Sequence, residues 1–242
     1  MTIADMTDRH VAVLGASTGI GLATARLLAD RGAQLTIGSR DRGRLGSAVE
    51  QLGSRARAVV VDAEDVGSLR GFFVEAGPIS DLVVTVTRRG GAGPVEQLVG
   101  SDLLGAFAGK TVAHLHAVVA ALPTLVADGS VTLVTAASAQ SAMPGTVGLA
   151  AVNGALEVAV GPLAAELAPR RVNAVSPGVI ETEWWDELPP QARQDAFATF
   201  AARALVRRNG QPADVAQAIV ALLENGFITG VVLPCDGGMR LT

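Results

Sequence analysis

The chain has 242 residues, of which 49% are hydrophobic and 17% charged, with a formal net charge of −4. That length suits one large α/β domain, and that apolar share supports an ordered interior instead of a disordered chain. An acidic balance without a basic run excludes a general nucleic-acid binder, and the single cysteine, Cys235, excludes a disulfide framework or a paired-cysteine metal site.

The first ten residues are polar and lack the apolar stretch of a signal peptide. No window holds the roughly 18 uninterrupted apolar residues of a membrane span. A soluble, cytoplasmic protein without a membrane partner is the expectation.

Short β-branched runs then alternate with longer helical stretches, the pattern of a parallel sheet covered on both faces. Strands are expected at residues 11–15, 35–39, 58–61, 82–86, 131–135, 171–175 and 231–234. Helices are expected at 20–31, 42–52, 66–76, 102–126, 147–167 and 212–223, with one or two more between 182 and 205. Seven strands with intervening helices make a single-domain Rossmann fold over residues 1–242, a doubly wound seven-stranded parallel sheet with helices on both faces. Pro162 lies inside the helical pattern of 147–167 and should kink or shorten it.

The first strand-turn-helix reads Gly15-Ala16-Ser17-Thr18-Gly19-Ile20-Gly21. Gly15 allows a tight turn out of the strand, while Gly19 and Gly21 let the backbone approach a pyrophosphate at a helix N-terminus. The spacing is a variant of the dinucleotide-binding fingerprint. At the end of the second strand stand Ser39 and Arg40, where a carboxylate would accept a hydrogen bond from a ribose 2′-hydroxyl. Arginine's planar fork suits a 2′-phosphate instead, so NADP(H) is preferred over NAD(H). Arg40 read as a solvated residue entering the helix, and Asp41 beside it, are the points against that preference.

These segments, with Asp62, the run Arg171-Val172-Asn173-Ala174-Val175-Ser176-Pro177-Gly178 followed by Thr182, Gly210-Gln211-Pro212-Ala213-Asp214-Val215, and Thr229-Gly230 with Asp236-Gly237-Gly238, resemble the short-chain dehydrogenase/reductase family in family order. The resemblance implies that Ser17, Thr18 and Ile20 join the three glycines around the pyrophosphate, with Thr182 close by, and that Asp62 and Ala63 sit near the adenine. It places Pro177, Gly178, Val179 and Ile180 beside a nicotinamide, and makes residues 182–205 a substrate lid. Two long helices, 102–126 and 147–167, would form a homodimer interface inside a homotetramer, and the C-terminal residues 236–242 would help build a second interface.

The family's acid–base half is where this chain departs. Carbonyl-reducing members use a Tyr-x-x-x-Lys pair, a serine and an asparagine, yet this sequence has no tyrosine at all. Aligned on the flanking landmarks, Leu149 takes the tyrosine position, Asn153 the lysine, Ala136 the serine and Lys110 the asparagine; Thr85-Val86-Thr87-Arg88 replaces the usual Asn-Asn-Ala-Gly. Lys110 is the first candidate for a substitute proton donor, because an ammonium buried beside a cofactor loses solvation and its pKa falls; the alternative is a solvated helix cation. His114, one turn on, is expected on the same face as a proton relay, or else as a packed core residue. Ser138 could donate to a substrate oxygen or simply form the turn, and Asn153 could hold a ribose or a water. Trp184 and Trp185 either line an apolar substrate site or pack the lid. Arg88 and Arg89 either steer an acidic substrate or are solvated.

An NADP(H)-dependent oxidoreductase acting on a small carbonyl, imine or activated alkene is the expected function. A non-redox isomerase, cyclase or lyase on the same fold, or an inactive NADP(H)-binding sensor or scaffold, are the alternatives.

Overall fold

The computed structural model describes residues 6–242. In chain order it contains β1 (His10–Leu14), α1 (Gly19–Asp30), β2 (Gln34–Ser39), α2 (Arg42–Leu52), β3 (Ala56–Val60), α3 (Val66–Ala76), β4 (Ile79–Val84), α4 (Gly100–Phe107), α5 (Ala113–Ala121), β5 (Leu125–Val134), α6 (Val147–Glu166), β6 (Arg171–Pro177), α7 (Pro190–Arg203), α8 (Pro212–Glu224) and β7 (Val232–Cys235). The seven strands form one sheet in the order β3-β2-β1-β4-β5-β6-β7, and every pairing is parallel.

Strand alternation feeds two cores. Ala12 and Leu14 of β1 face a cluster with Leu69, Phe72 and Phe73 of α3, Val118 of α5 and Leu156 of α6. Val11 and Val13 point the other way, toward Leu28 of α1, Leu45 of α2 and Ile219 of α8. Both faces of the sheet are thus dry, which is why its strands read as nearly continuous apolar runs. The order reverses between β1 and β4, so the loops leaving these strands diverge at their carboxyl ends and open a crevice there.

Two expectations need correction. The stretch expected as one helix over 102–126 is α4 and α5 joined by a π-helical turn, Ala108–Val112, and Val126 belongs to β5. Pro162 does not shorten α6, which runs unbroken to Glu166. Proline deprives the residue 158 carbonyl of its partner, but Val158 is 78% exposed, so the loss falls on the solvent side. Gly100–Ala121 and Val147–Glu166 have the length and mean hydropathy of membrane spans without an uninterrupted apolar run, and both stretches supply core residues to one face of the sheet.

Candidate functional site

A cleft of about 570 Å³ opens at the carboxyl ends of β1 to β4. Gly15, Ser17, Thr18, Gly19, Ile20 and Gly21 line it, together with Ser39, Arg40, Asp62, Ala63 and Thr182. Its floor depends on two glycines. Gly15 has φ of 86°, and a Cβ there would lie 2.5 Å from Thr85 Oγ1. A Cβ on Gly21 would overlap the Gly15 carbonyl oxygen and lie 2.7 Å from the same hydroxyl. Thr85 itself donates to Leu14 O at 2.9 Å, tying β4 to the turn. Thr18, at the N-cap of α1, makes no side-chain capping bond, and the first turn carries no acidic residue. A concave, electropositive helix entry at this point fits a pyrophosphate-linked dinucleotide.

At the far end, Arg40 is 64% exposed at its side chain, with Nη1 3.9 Å from Glu64 Oε1. Asp41 is committed elsewhere: its carboxylate accepts from Arg44 N at 3.0 Å and caps α2. The acid beside Arg40 therefore has a structural task, and its capping oxygen is engaged within its own helix. Asp62 Oδ1 accepts from Glu64 N at 3.0 Å, which fixes the turn after β3.

A second cavity of about 270 Å³ continues from the first, sharing Ile20, Thr85, Thr182 and Trp184 among its walls. It collects Lys110, Ser138 and Asn153 with Ala136 and Leu149, and its other wall is Pro177, Gly178, Val179 and Ile180. Lys110 sits in the π turn and is 8% exposed, with Nζ 3.4 Å from Thr135 O. Burial pushes its pKa down to about 8, against the pull of the Glu157 carboxylate. Asn153 donates to Ser138 Oγ at 3.3 Å and to Leu149 O at 2.9 Å, while its Oδ1 is buried without a partner.

His114 is not brought to this cavity. Its Nδ1 is 2.8 Å from Lys110 O and its Nε2 is 3.1 Å from Val84 O, and the ring is fully buried. Burial, reinforced by the Lys110 charge, pushes it down to about 3, so the ring is neutral. The expected relay fails on geometry: the ring is spent on the Lys110 and Val84 carbonyls and does not line the cavity.

The two tryptophans divide their tasks. Trp185 donates through Nε1 to Ile180 O at 3.0 Å and packs on Phe197 and Phe200 at ring-centroid distances of 5.6 and 5.8 Å. Trp184 faces both cavities and lies under Arg89, whose guanidinium is 5.0 Å from the ring centroid. Arg89 also donates to Trp184 O and pairs with Glu187, and Arg88 donates to Glu64 Oε2 at 3.1 Å. Neither arginine is a merely solvated loop charge.

Sequence reasoning missed Glu157. Its Oε1 accepts from Thr135 Oγ1 at 2.8 Å and Ser176 Oγ at 2.7 Å, and its Oε2 accepts from Gln140 Nε2 at 2.7 Å. A carboxylate standing alone in the apolar run of α6, one turn past Asn153, was the available signal. Met239 and Phe200, which also line the second cavity, carried none.

A family model described as enoyl-(acyl carrier protein) reductase matches residues 15–240. A short-chain dehydrogenase/reductase of Stachybotrys chlorohalonatus is 30% identical, with 96% of this chain and 97% of that protein covered. A 3-oxoacyl-[acyl-carrier-protein] reductase of Bos taurus is 31% identical over 97% and 99% of the two chains. Among solved structures, a small-chain dehydrogenase in complex with NADPH superposes with a TM-score of 0.83 at 27% identity, covering 97% of this chain and 99% of that one. A short-chain oxidoreductase of Pseudomonas aeruginosa PAO1 containing an atypical catalytic center superposes with a TM-score of 0.89 at 28% identity, over 98% of each chain. With matches that run nearly end to end on a sheet of this order, the chain belongs to the short-chain dehydrogenase/reductase family.

Proposed function

We propose that the chain is an NADP(H)-dependent oxidoreductase in which Lys110 replaces the family tyrosine as proton donor. The observation that carries this reading is Lys110 itself: the chain's single lysine is buried in the wall of the cavity that Pro177 to Ile180 also line. Lysines are rarely buried, and an arginine in the same place would be useless as an acid because it holds its proton throughout the accessible pH range. A pKa near 8 leaves Lys110 mostly protonated at neutral pH and able to give the proton up.

Pro177, Gly178, Val179 and Ile180 would hold a nicotinamide, which would supply the hydride. Lys110 protonates the oxygen or nitrogen on which negative charge develops, and its charge stabilises that atom beforehand. Asn153 accepts a ribose hydroxyl with its free Oδ1, and Ser138, already bonded to Asn153, donates its hydroxyl to the substrate oxygen. Trp184, Leu149 and Met143 give the cavity an apolar lining that excludes water. A small carbonyl, imine or activated alkene fits this combination of one cation and apolar walls. The relatives support that class, since one reduces a 3-oxoacyl group and another, from Sinomonas cyclohexanicum and 32% identical, is a cis-4-hydroxycyclohexanecarboxylate dehydrogenase.

Preference for NADP(H) rests on Arg40 with Arg44 at the far end of the cleft, and the NADPH-bound neighbour supports it. A homodimer or homotetramer in the cytoplasm completes the reading. Leu104, Val119 and Val158 are 71%, 63% and 78% exposed on helices α4 to α6, an apolar face that a second copy would cover.

Stopped-flow oxidation of bound NADPH by a panel of carbonyls, imines and activated alkenes tests the assignment, with Lys110→Met as control. Turnover on one class, lost in the variant and declining above about pH 8, is expected. Tight NADPH binding without turnover on any class would leave the sensor reading, and product formed without cofactor the non-redox one.

A further inference from the structure

We propose that Glu157, separated from the cavity by Thr135, is the positioning residue that keeps Lys110 in its ammonium form. The inference rests on the reading of Lys110 as proton donor and adds what makes a buried lysine fit for that role.

The connection runs through one residue. Thr135 accepts from Lys110 Nζ with its carbonyl oxygen at 3.4 Å and donates through Oγ1 to Glu157 Oε1 at 2.8 Å. Thr135 is 2% and Glu157 9% exposed, so the charge acts across a medium with little water to screen it. Three donors, Thr135 and Gln140 from the loop after β5 and Ser176 from β6, converge on the two oxygens. A carboxylate only accepts, and it suits that convergence where a group with its own hydrogen would not. These contacts also forbid Glu157 from swinging into the cavity, so it exerts a field there without offering a competing base.

The charged and titratable groups around Lys110 leave Glu157 as the source of that field. On its own helical run, His114 is neutral and turned toward backbone oxygens. From the loop after β4, Arg88 reaches the same cavity, but its cation is engaged with Glu64 at 3.1 Å. From the end of β5 and from β6, Thr135, which directly follows the strand, and Ser176 bring hydroxyls, and α6 brings Asn153 and Glu157. Burial lowers the Lys110 pKa, and Glu157 is the group that opposes the fall. Without that opposition a smaller share of the amine would carry its proton at neutral pH.

The test reads Lys110 directly. Lysine labelled with ¹³C at Cε gives one lysine resonance, because Lys110 is the only lysine. Its chemical shift is titrated in the full-length protein for the wild type, Glu157→Gln, Ser176→Ala and Gln140→Ala. The midpoint is expected to fall by about one pH unit in Glu157→Gln, the smaller end of the effect of a nearby opposite charge. Ser176→Ala and Gln140→Ala thin the hydrogen bonds but keep the charge, and should leave the midpoint in place. An unchanged midpoint in Glu157→Gln overturns the proposal, as does an equal fall in all three variants. Should Glu157→Gln fail to fold, Glu157→Asp draws the carboxylate back by one methylene; a partial fall supports the proposal and no fall overturns it. The same titration separates the two readings: a shifted midpoint in a protein that never oxidises NADPH removes the catalytic role of Lys110 and leaves its coupling to Glu157 standing.

Discussion

Arg88 lies so close to Gly109 that a Cβ on Gly109 would overlap Arg88 Cβ and lie 2.8 Å from its Cδ. The loop after β4 is thereby seated on the π turn that carries Lys110, and the Arg88 guanidinium continues to Glu64. Gly109→Ala should cost about 1–3 kcal/mol, the usual penalty for overpacking, and should displace the π turn. Gly105→Ala is the internal control, since its Cβ would meet Arg88 Nε at an ordinary 3.7 Å. Urea unfolding of both variants, with NADPH oxidation rates, checks this. Equal behaviour of the two would mean that Arg88 does not depend on the gap at Gly109.

The proposed preference for NADP(H) rests on Arg40 and not on its acidic neighbour. Arg40→Ala should weaken NADPH binding by about ten- to a hundredfold while leaving NADH within about twofold, because only the 2′-phosphate uses the guanidinium. Asp41→Ala removes the α2 cap instead, so it should lower stability by about 1 kcal/mol and leave the preference intact. Fluorescence titration with both cofactors measures the first effect, and thermal unfolding the second. A loss of NADH affinity equal to that of NADPH in Arg40→Ala would contradict the assignment.

Much of this arrangement is legible from the residues. Short, nearly continuous apolar runs bounded by turn residues announce the strands, and Gly15, Gly19 and Gly21 fall where a strand hands over to a helix. Side-chain direction within the long helices is harder to read, because α5 and α6 are apolar on every side and periodicity carries little information there. The π turn over Ala108–Val112 has no signal in the sequence, and neither has the capture of the His114 ring by two backbone carbonyls. Glu157 was hidden for another reason. Its partners Thr135, Gln140 and Ser176 come from different segments, and only the sheet register brings them together.

Arg89 fastens the segment that follows β6. Its guanidinium donates to the Trp184 carbonyl, pairs with Glu187 and stacks on the Trp184 ring, joining the loop after β4 to the segment after β6. Glu187 is 75% exposed at its side chain, so that ion pair contributes little, and the carbonyl bond and the stacking carry the effect. Arg89→Ala should raise the NADPH dissociation constant by about tenfold, the equivalent of one hydrogen bond plus one exposed cation–π contact. Protease cleavage between residues 182 and 205 should quicken in parallel, and added NADPH should slow it again. Unchanged cleavage would show that the lid is held by Trp185 on Phe197 and Phe200 alone.

The charge on Lys110 should cost stability, and alkaline titration can isolate the cost. Its folded pKa, about 8, lies below the ordinary value of 10.5, so the unfolded chain binds the extra proton and stability rises with pH across that interval. The difference corresponds to about 3 kcal/mol, fully present below pH 8 and gone above 10.5. Few proteins permit so clean a reading. This chain has no tyrosine and one lysine, which leaves Cys235 as the other side chain titrating in the interval. Burial raises that thiol's pKa, which makes stability fall with pH, so the measurement belongs in a Cys235→Ser background. There, urea unfolding should give a free energy that climbs between pH 8 and 10.5, and Lys110→Met should abolish the climb and be the more stable protein at pH 7. A flat profile in the Cys235→Ser protein would mean that Lys110 reaches water in the folded state, and the case for it as a tuned acid would fall with it.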